Sequence, residues 1–115
     1  MRFMATDPPT RTELLQGTLD MLVLRTLSAQ AMHGYGIAQH IQRLSHEVLR
    51  VDQGSLYPAL ERLQQKGLVT SRWGVTPTNR KARYYTITAS GRKQLGEKSA
   101  AYDKVALAIA RIMAG

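Results

Sequence analysis

Residues 56–95 decide the fold of this chain, and they read LYPALERLQQKGLVTSRWGVTPTNRKARYYTITASGRKQL. Apolar residues recur at helical spacing from Leu56 to Leu63, and Gly67 is placed to end that helix. Strand-forming residues then lie on both sides of a turn that contains Pro77 and Asn79. Thr88 is a good N-cap for another helix. The stretch therefore predicts a helix, a β-hairpin with an extended loop, and a further helix.

Charge is strongly segregated along the chain. The formal net charge is +8, and no carboxylate lies between Glu61 and Glu97. The basic residues in that interval are Arg62, Lys66, Arg72, Arg80, Lys81, Arg83, Arg92 and Lys93. The remaining basic residues are balanced by the acids elsewhere, so the whole excess belongs to one module. This distribution is typical of a surface that binds phosphates.

The sequence before this stretch predicts two more helices. Helix 1 should cover about Thr12 to Gln30 and follow a Thr10–Glu13 capping box, and helix 2 should run from Tyr35 to about Ser45 or His46. Asp52 can cap helix 3. Three helices followed by a hairpin predict an α+β, mostly helical fold of the winged helix-turn-helix class. We assign residues 1–9 to a flexible tail, residues 10–88 to this domain and residues 89–115 to a C-terminal dimerisation helix.

Composition limits the class of protein. The chain has 115 residues, 43% of them apolar, and no cysteine. One domain is expected, and disulfides, thiolate metal sites and cysteine nucleophiles are excluded. No apolar run reaches membrane-spanning length and no secretory signal is visible, which predicts a cytoplasmic protein. Binding to an anionic membrane surface is disfavoured, because the cations lie mainly in a turn rather than along an amphipathic helix.

Helix 3 has the two faces of a helix that enters the major groove of DNA. Leu56 to Leu63 provide the inward apolar face. The polar or outward positions are Gln53, Ser55, Tyr57, Pro58, Glu61, Arg62 and Gln65. An alternative interpretation is that Tyr57 and Pro58 pack against helix 1.

The hairpin loop carries Arg80, Lys81 and Arg83 beside Asn79. Charge runs are often only solvated, but a solubilising surface usually mixes both signs. Because acids are absent here, we predict that this wing contacts the phosphate strand or the minor groove.

The last helix has a short apolar seam formed by Leu95, Tyr102, Val105, Ile109 and Ile112. Its spacing predicts a helix-pairing surface interrupted at Lys98 and Ser99. We assign these seam residues, together with Leu15 and Leu19 of helix 1, to a homodimer interface.

The chain offers little for catalysis. His33, His40 and His46 lack the i, i+4 spacing of a helical metal pair, and they are expected on the surface or in packing. The Gly34-Tyr35-Gly36 run lacks the third glycine of a dinucleotide loop. It is interpreted as a turn that approaches helix 1 or a DNA phosphate closely. We predict no enzyme activity, no metal and no cofactor.

Four runs resemble the PadR family of bacterial transcriptional regulators: LLQGTLDMLVLRTL, HGYGIAQHI, GSLYPALERLQQKGLV and RKARYYTITASGRKQL. The resemblance covers about residues 14–95. It implies a dimeric winged-helix repressor that binds double-stranded DNA and releases it when a small molecule or other signal binds. It also implies that Ser55, Tyr57 and Pro58 contact the operator, Tyr35 the DNA backbone, and Lys81 and Arg83 form the wing. The single C-terminal helix resembles the short subgroup, whose last helix embraces the partner subunit.

Two other functions remain possible at this stage. A winged helix can bind an acidic protein partner instead of DNA. Alternatively, Trp73 or Tyr102 could line an apolar effector pocket at the dimer interface, with DNA binding secondary. For Trp73 and Tyr102 the spacing favours packing in the core and in the helix seam.

Overall fold

A computed structural model describes the backbone of residues 11–115 and the side chains of residues 18–115. The elements, in chain order, are α1 (Arg11–Leu27), β1 (Met32–His33), α2 (Gly34–Leu44), α3 (Gln53–Gln65), β2 (Val69–Val75), β3 (Lys81–Ile87) and α4 (Ala89–Ala114). The predicted α+β, mostly helical fold is confirmed. The Thr10–Glu13 capping box and the Leu15 side chain lie outside the described residues.

The sheet has three antiparallel strands in the order β1-β3-β2. Strands β2 and β3 form the predicted hairpin, in which Val69 pairs with Ile87 and Val75 with Lys81. Strand β1 was not predicted. It consists of two residues, Met32 and His33, that pair with β3, and a segment this short has no alternation that a sequence could reveal.

The core forms where α1 meets the other helices and the base of the hairpin. Val23 and Leu24 of α1 are fully buried, as are Ile37 of α2 and Leu60 of α3. Val69 at the start of β2 is also buried. These residues belong to one continuous core that joins α1, α2, α3 and the base of the hairpin.

Helices α2, α3 and α4 each begin at a capping side chain. Asp52 Oδ1 accepts the Ser55 N–H at 2.8 Å, which confirms the predicted cap of α3. Thr88 Oγ1 accepts the Gly91 N–H at 3.0 Å, as predicted for α4. His33 Nδ1 accepts the Gly36 N–H at 3.1 Å and caps α2. Histidine is uncommon at the N-cap position, where asparagine, aspartate, serine and threonine are preferred.

Helix ends follow local backbone geometry. Gly67 has φ +73° and ends α3 as predicted. α1 ends at Leu27, before the predicted Gln30, because the chain turns at Ser28–Gln30 to enter β1. No helix of residues 11–115 is long and apolar enough to span a membrane.

The start of α4 is bound tightly to the end of α3. Thr88 Oγ1 donates to the Gly67 carbonyl at 2.8 Å, and the Thr88 N–H donates to the Leu68 carbonyl at 3.0 Å. Gly91 is buried at this junction. Leu95 is the last buried residue of α4, and residues 100–115 are exposed except for half-buried Ala106. The second half of α4 therefore extends away from the core.

Candidate nucleic-acid interface

A groove of about 460 Å³ lies between α2 and the start of α3. Three residues that were predicted to contact DNA line it: Tyr35, Gln53 and Tyr57. Gln39, Gln42 and Arg43 of α2 also line this groove. The fold therefore brings side chains from two successive helices, α2 and α3, together on one polar surface that can form hydrogen bonds.

Tyr57 lies at the base of this groove and packs against α2. A Cβ added to Gly34 would lie 2.6 Å from Tyr57 Oη and 2.8 Å from its ring. The close approach predicted for the Gly34-Tyr35-Gly36 run therefore exists at Gly34, and within the protein its partner is the Tyr57 ring of α3 rather than α1. Tyr57 remains 43% exposed, so one part of the ring packs while the rest stays accessible.

Tyr35 is the most exposed aromatic residue of the groove, at 59%. Its hydroxyl accepts a hydrogen bond from Gln39 Nε2 at 3.0 Å. The two residues are one helical turn apart on α2, so their side chains lie on the same face. The pair presents a hydroxyl and an amide to solvent at the mouth of the groove.

Pro58 lies in the interior of α3, beyond its first turn. It is exposed, and it has no N–H to donate to the carbonyl of Gly54 one turn earlier. Gly54 is itself exposed, so water can bind that carbonyl. Ser55, by contrast, is half-buried and its backbone N–H is already bound to the Asp52 cap.

Arg62 does not lie on the outward face, which corrects the prediction. Its Nη2 donates to Asp20 Oδ1 at 2.9 Å, and the two side chains are 35% and 13% exposed. By helical spacing, Arg62 lies at the edge of the apolar stripe of α3, where its guanidinium can bind the Asp20 carboxylate of α1. Its charge is neutralised within the fold, so Arg62 ties α3 to α1 rather than extending toward a ligand.

The wing is a short loop between β2 and β3 that is held by internal hydrogen bonds. The Asn79 N–H donates to the Thr76 carbonyl at 2.8 Å, and the Thr76 N–H donates to the Arg80 carbonyl at 2.8 Å. Asn79 adopts the left-handed conformation with φ 64°, which asparagine tolerates better than most residues. Arg80, at the loop's end, is exposed.

Trp73 is exposed on the hairpin, which corrects the expectation that it packs in the core. It is 59% exposed and lies directly opposite Arg83. Arg83 Cζ is 4.9 Å and Lys81 Nζ 5.5 Å from the centroid of the indole. The strand pattern alone did not show this, because β2 and β3 extend beyond the core and their inward face becomes solvent-exposed toward the loop.

The wing and α3 meet at Tyr85. Burial raises the pKa of the Tyr85 phenol, Arg83 lowers it by its positive charge, and Tyr57 and Glu61 of α3 raise it further. Tyr85 lies two residues from Arg83 on β3, so the two side chains are on the same face of the hairpin. Ser71 Oγ also donates to Gln64 Oε1 at 3.1 Å. The basic hairpin and the predicted recognition helix thus form adjoining parts of one surface.

The residues assigned to a dimer interface fall into two groups. Leu19 and Leu95 are 3% and 8% exposed and lie in the core of this chain, so they are not on its outer surface as the assignment required. Four others are at least half exposed on α4: Tyr102, Val105, Ile109 and Ile112. The part of the seam that is open to another molecule is therefore the second half of α4.

Two successive helices, α2 and the capped α3, followed by a basic β-hairpin are the arrangement of a winged-helix DNA-binding protein. The model described as the transcriptional regulator PadR-like family matches residues 23–97. The chain therefore belongs to the PadR-like family of transcriptional regulators, and it is a DNA-binding regulator rather than an enzyme.

Known proteins of similar sequence and structure agree with this family. A transcriptional regulator of Mycobacterium tuberculosis is 31% identical over 94 residues, which cover 82% of this chain and 84% of that protein. A transcriptional regulator from Clostridium thermocellum is similar in structure, with TM-score 0.77 and 26% identity over 85% of this chain and 95% of its own. A PadR-like transcriptional regulator from Bacillus cereus has TM-score 0.76 and 26% identity over 89% and 97%.

Proposed function

We propose that the protein is a homodimeric repressor that binds a palindromic operator through α3 and the wing and leaves it in response to a small molecule or other signal. The observation that carries this proposal is the surface on which the α2–α3 groove adjoins the exposed cations of the hairpin. Tyr35, Gln53, Ser55, Tyr57 and Pro58 would contact the operator from the helix side. Arg80, Lys81 and Arg83 would bind its phosphates.

The two parts of this surface have different tasks in the proposal. Side chains at the start of α3 can reach base edges, which carry the sequence information. Cations on the wing bind phosphates, which position the protein without reading sequence. Arg62 is left out of the contact set because its guanidinium already binds Asp20.

The exposed face of α4 supports the homodimer. Tyr102, Val105, Ile109 and Ile112 follow three- and four-residue steps, so they lie on one face of the helix. They are 50%, 56%, 54% and 75% exposed in the single chain. A contiguous apolar face of this kind favours association, and a second copy offers the same self-complementary stripe. Two-fold symmetry in the protein then matches two-fold symmetry in the operator.

Selection of bound sequences from a random duplex pool at about 150 mM salt tests the proposal, since the non-specific electrostatic contribution is weakened there. We expect an enriched palindrome with half-sites about 34 Å apart, one helical turn of DNA. Six to ten phosphate contacts per dimer would lower the affinity about 10³- to 10⁵-fold between 50 and 200 mM salt. A folded protein that enriches no sequence, or whose binding is insensitive to salt, contradicts the proposal.

We place the effector site beside Tyr102, at the proposed interface between the two α4 helices, rather than beside Trp73 on the open wing. A screen for compounds that release a labelled operator would identify ligands, and Tyr102→Ala should then weaken release by more than it weakens operator affinity, since Tyr102 also lies on the proposed dimer face. Trp73→Phe is the matched aromatic control. A ligand whose effect is lost in Trp73→Phe but kept in Tyr102→Ala contradicts this placement.

A further inference from the structure

The indole of Trp73 is in contact with two cations and remains open to solvent. Arg83 Cζ is 4.9 Å and Lys81 Nζ 5.5 Å from the ring centroid, both within the range of a cation–π interaction. Trp73 pairs with Arg83 across the hairpin, and Lys81 is the residue two positions before Arg83 on the same strand face. The register of β2 and β3 therefore builds this cluster.

No acid among residues 18–115 forms an ion pair with either cation of the cluster. In the part of the chain whose side chains the structure describes, the ion pairs join Glu47 to Arg50 and Asp20 to Arg62. Lys81 and Arg83 are both exposed. A carboxylate partner would occupy their N–H groups, whereas an aromatic ring holds a cation by its face and leaves donors free for an anion.

We propose that Trp73 is a positioning residue for phosphate binding: it holds the Lys81 and Arg83 side chains in place so that their N–H groups bind the DNA backbone. Long side chains such as these lose rotamer entropy when a ligand immobilises them. A ring that restrains them beforehand reduces that loss. This inference rests on the proposed wing contact with DNA, and it adds a residue that carries no charge and makes no hydrogen bond to the phosphate.

The effect should have a defined size and should not depend on sequence. Holding one long side chain in place beforehand avoids a loss of rotamer entropy that corresponds to about a two- to twelve-fold change in affinity. With two cations on one ring, Trp73→Leu should weaken binding by at least about four-fold. The loss should be equal for the operator and for an unrelated duplex, because phosphates carry no sequence information.

A double-mutant cycle on the full chain tests the inference by fluorescence anisotropy with a labelled duplex. It compares Trp73→Leu, the pair Lys81→Gln with Arg83→Gln, and all three changes together. If the indole acts through the cations, Trp73→Leu should have no further effect once both cations are removed. Trp73→Phe should recover most of the affinity because a benzene ring also binds cations. Val75→Ala removes an exposed apolar side chain that pairs with Lys81 but has no aromatic ring, and it should change the affinity less than about two-fold.

Several outcomes overturn the inference. The first is that Trp73→Leu binds DNA as tightly as the wild type or more tightly. The second is that Trp73→Leu lowers the affinity equally when both cations are already removed. The third is that Trp73→Phe binds no better than Trp73→Leu. Thermal unfolding followed by circular dichroism separates these from a folding defect, since an exposed substitution should leave the midpoint nearly unchanged. If the wild-type protein binds no duplex, the proposed function itself fails. If the wild type binds but the cycle is additive, only the role of Trp73 is refuted.

Discussion

At the scale of single residues, the Asp20–Arg62 pair shows how a charged residue of the recognition helix can belong to the fold. The Asp20 side chain is 13% exposed, and Arg62 of α3 binds it at 2.9 Å. A carboxylate in that position is costly without a partner. The pair joins residues 42 positions apart in sequence, and it favours one orientation of α3 on α1.

Arg62→Ala should lower the free energy of unfolding by about 1–3 kcal/mol, because it leaves the Asp20 carboxylate nearly buried and unpaired. Urea unfolding measures the loss. Adding Asp20→Asn should recover part of it, since no buried charge then remains. Arg25→Ala, an exposed arginine on α1, is the control and should stay within about 0.5 kcal/mol of the wild type. An equal loss in both arginine variants would show that the pair has no special role.

Tyr57 and Lys81 should separate the reading of sequence from the binding of phosphate. Tyr57→Ala should flatten the preference for the operator over other duplexes, because it removes a side chain at the α3 surface. Lys81→Ala should weaken all sequences alike and lower the slope of log affinity against log salt by about 1 for each lost phosphate contact. Binding titrations with matched and scrambled duplexes check both. The division is refuted if the two variants lose the same degree of specificity.

At the scale of elements, the junction between α3, β2 and α4 depends on a glycine that has no room for a side chain. A Cβ at Gly91 would collide with the Leu68 carbonyl and would lie 2.7 Å from Ile87 Cγ1. Thr88 binds the Gly67 and Leu68 carbonyls at the same place. The start of α4 is therefore locked to the end of the recognition helix, and the direction of α4 follows from that contact.

Two glycines of α4 give a matched test of this junction. Gly91→Ala should destabilise the fold by about 1–3 kcal/mol, because a backbone carbonyl cannot move aside as a flexible side chain can. Gly96→Ala meets nothing within 4 Å and should stabilise α4 by up to about 1 kcal/mol through helix propensity. Thermal unfolding of both variants measures the difference. Similar behaviour of the two variants would contradict the close packing at Gly91.

At the scale of the whole molecule, the long C-terminal helix makes the single chain elongated, with extents of 52 × 27 × 24 Å. Its exposed apolar face lies apart from the core. The first half of α4 packs on the core of this chain through Leu95. We propose that the second half packs against a second copy of the chain. In the proposed function, DNA binding by residues 35–83 and dimerisation by the second half of α4 are joined through the Thr88 junction.

Ile109→Asp should convert the proposed dimer to a monomer, because a charge on the paired face is costly to bury. Analytical ultracentrifugation should show half the mass, and the affinity for the palindrome should fall while weak, salt-sensitive binding remains. Leu107→Asp is the control, since that exposed residue lies on a different face of α4. A dimer that persists in Ile109→Asp and dissociates in Leu107→Asp would show that the interface lies on the Leu107 face of α4, which contradicts the proposal.

The amino-acid sequence by itself determined the helices, their Asp52 and Thr88 caps, the hairpin and the concentration of charge in it, because caps, turns and periodicity are local. Only the tertiary structure decided which side chains are exposed to solvent and which are bound by other parts of the chain. The α1 carboxylate takes Arg62 out of the outward face, and Gly34 receives the Tyr57 ring. The overhang of β2 and β3 beyond the core exposes Trp73 to two cations. These contacts join segments that are distant in sequence. The periodicity of one segment does not indicate which other segment will pack against it.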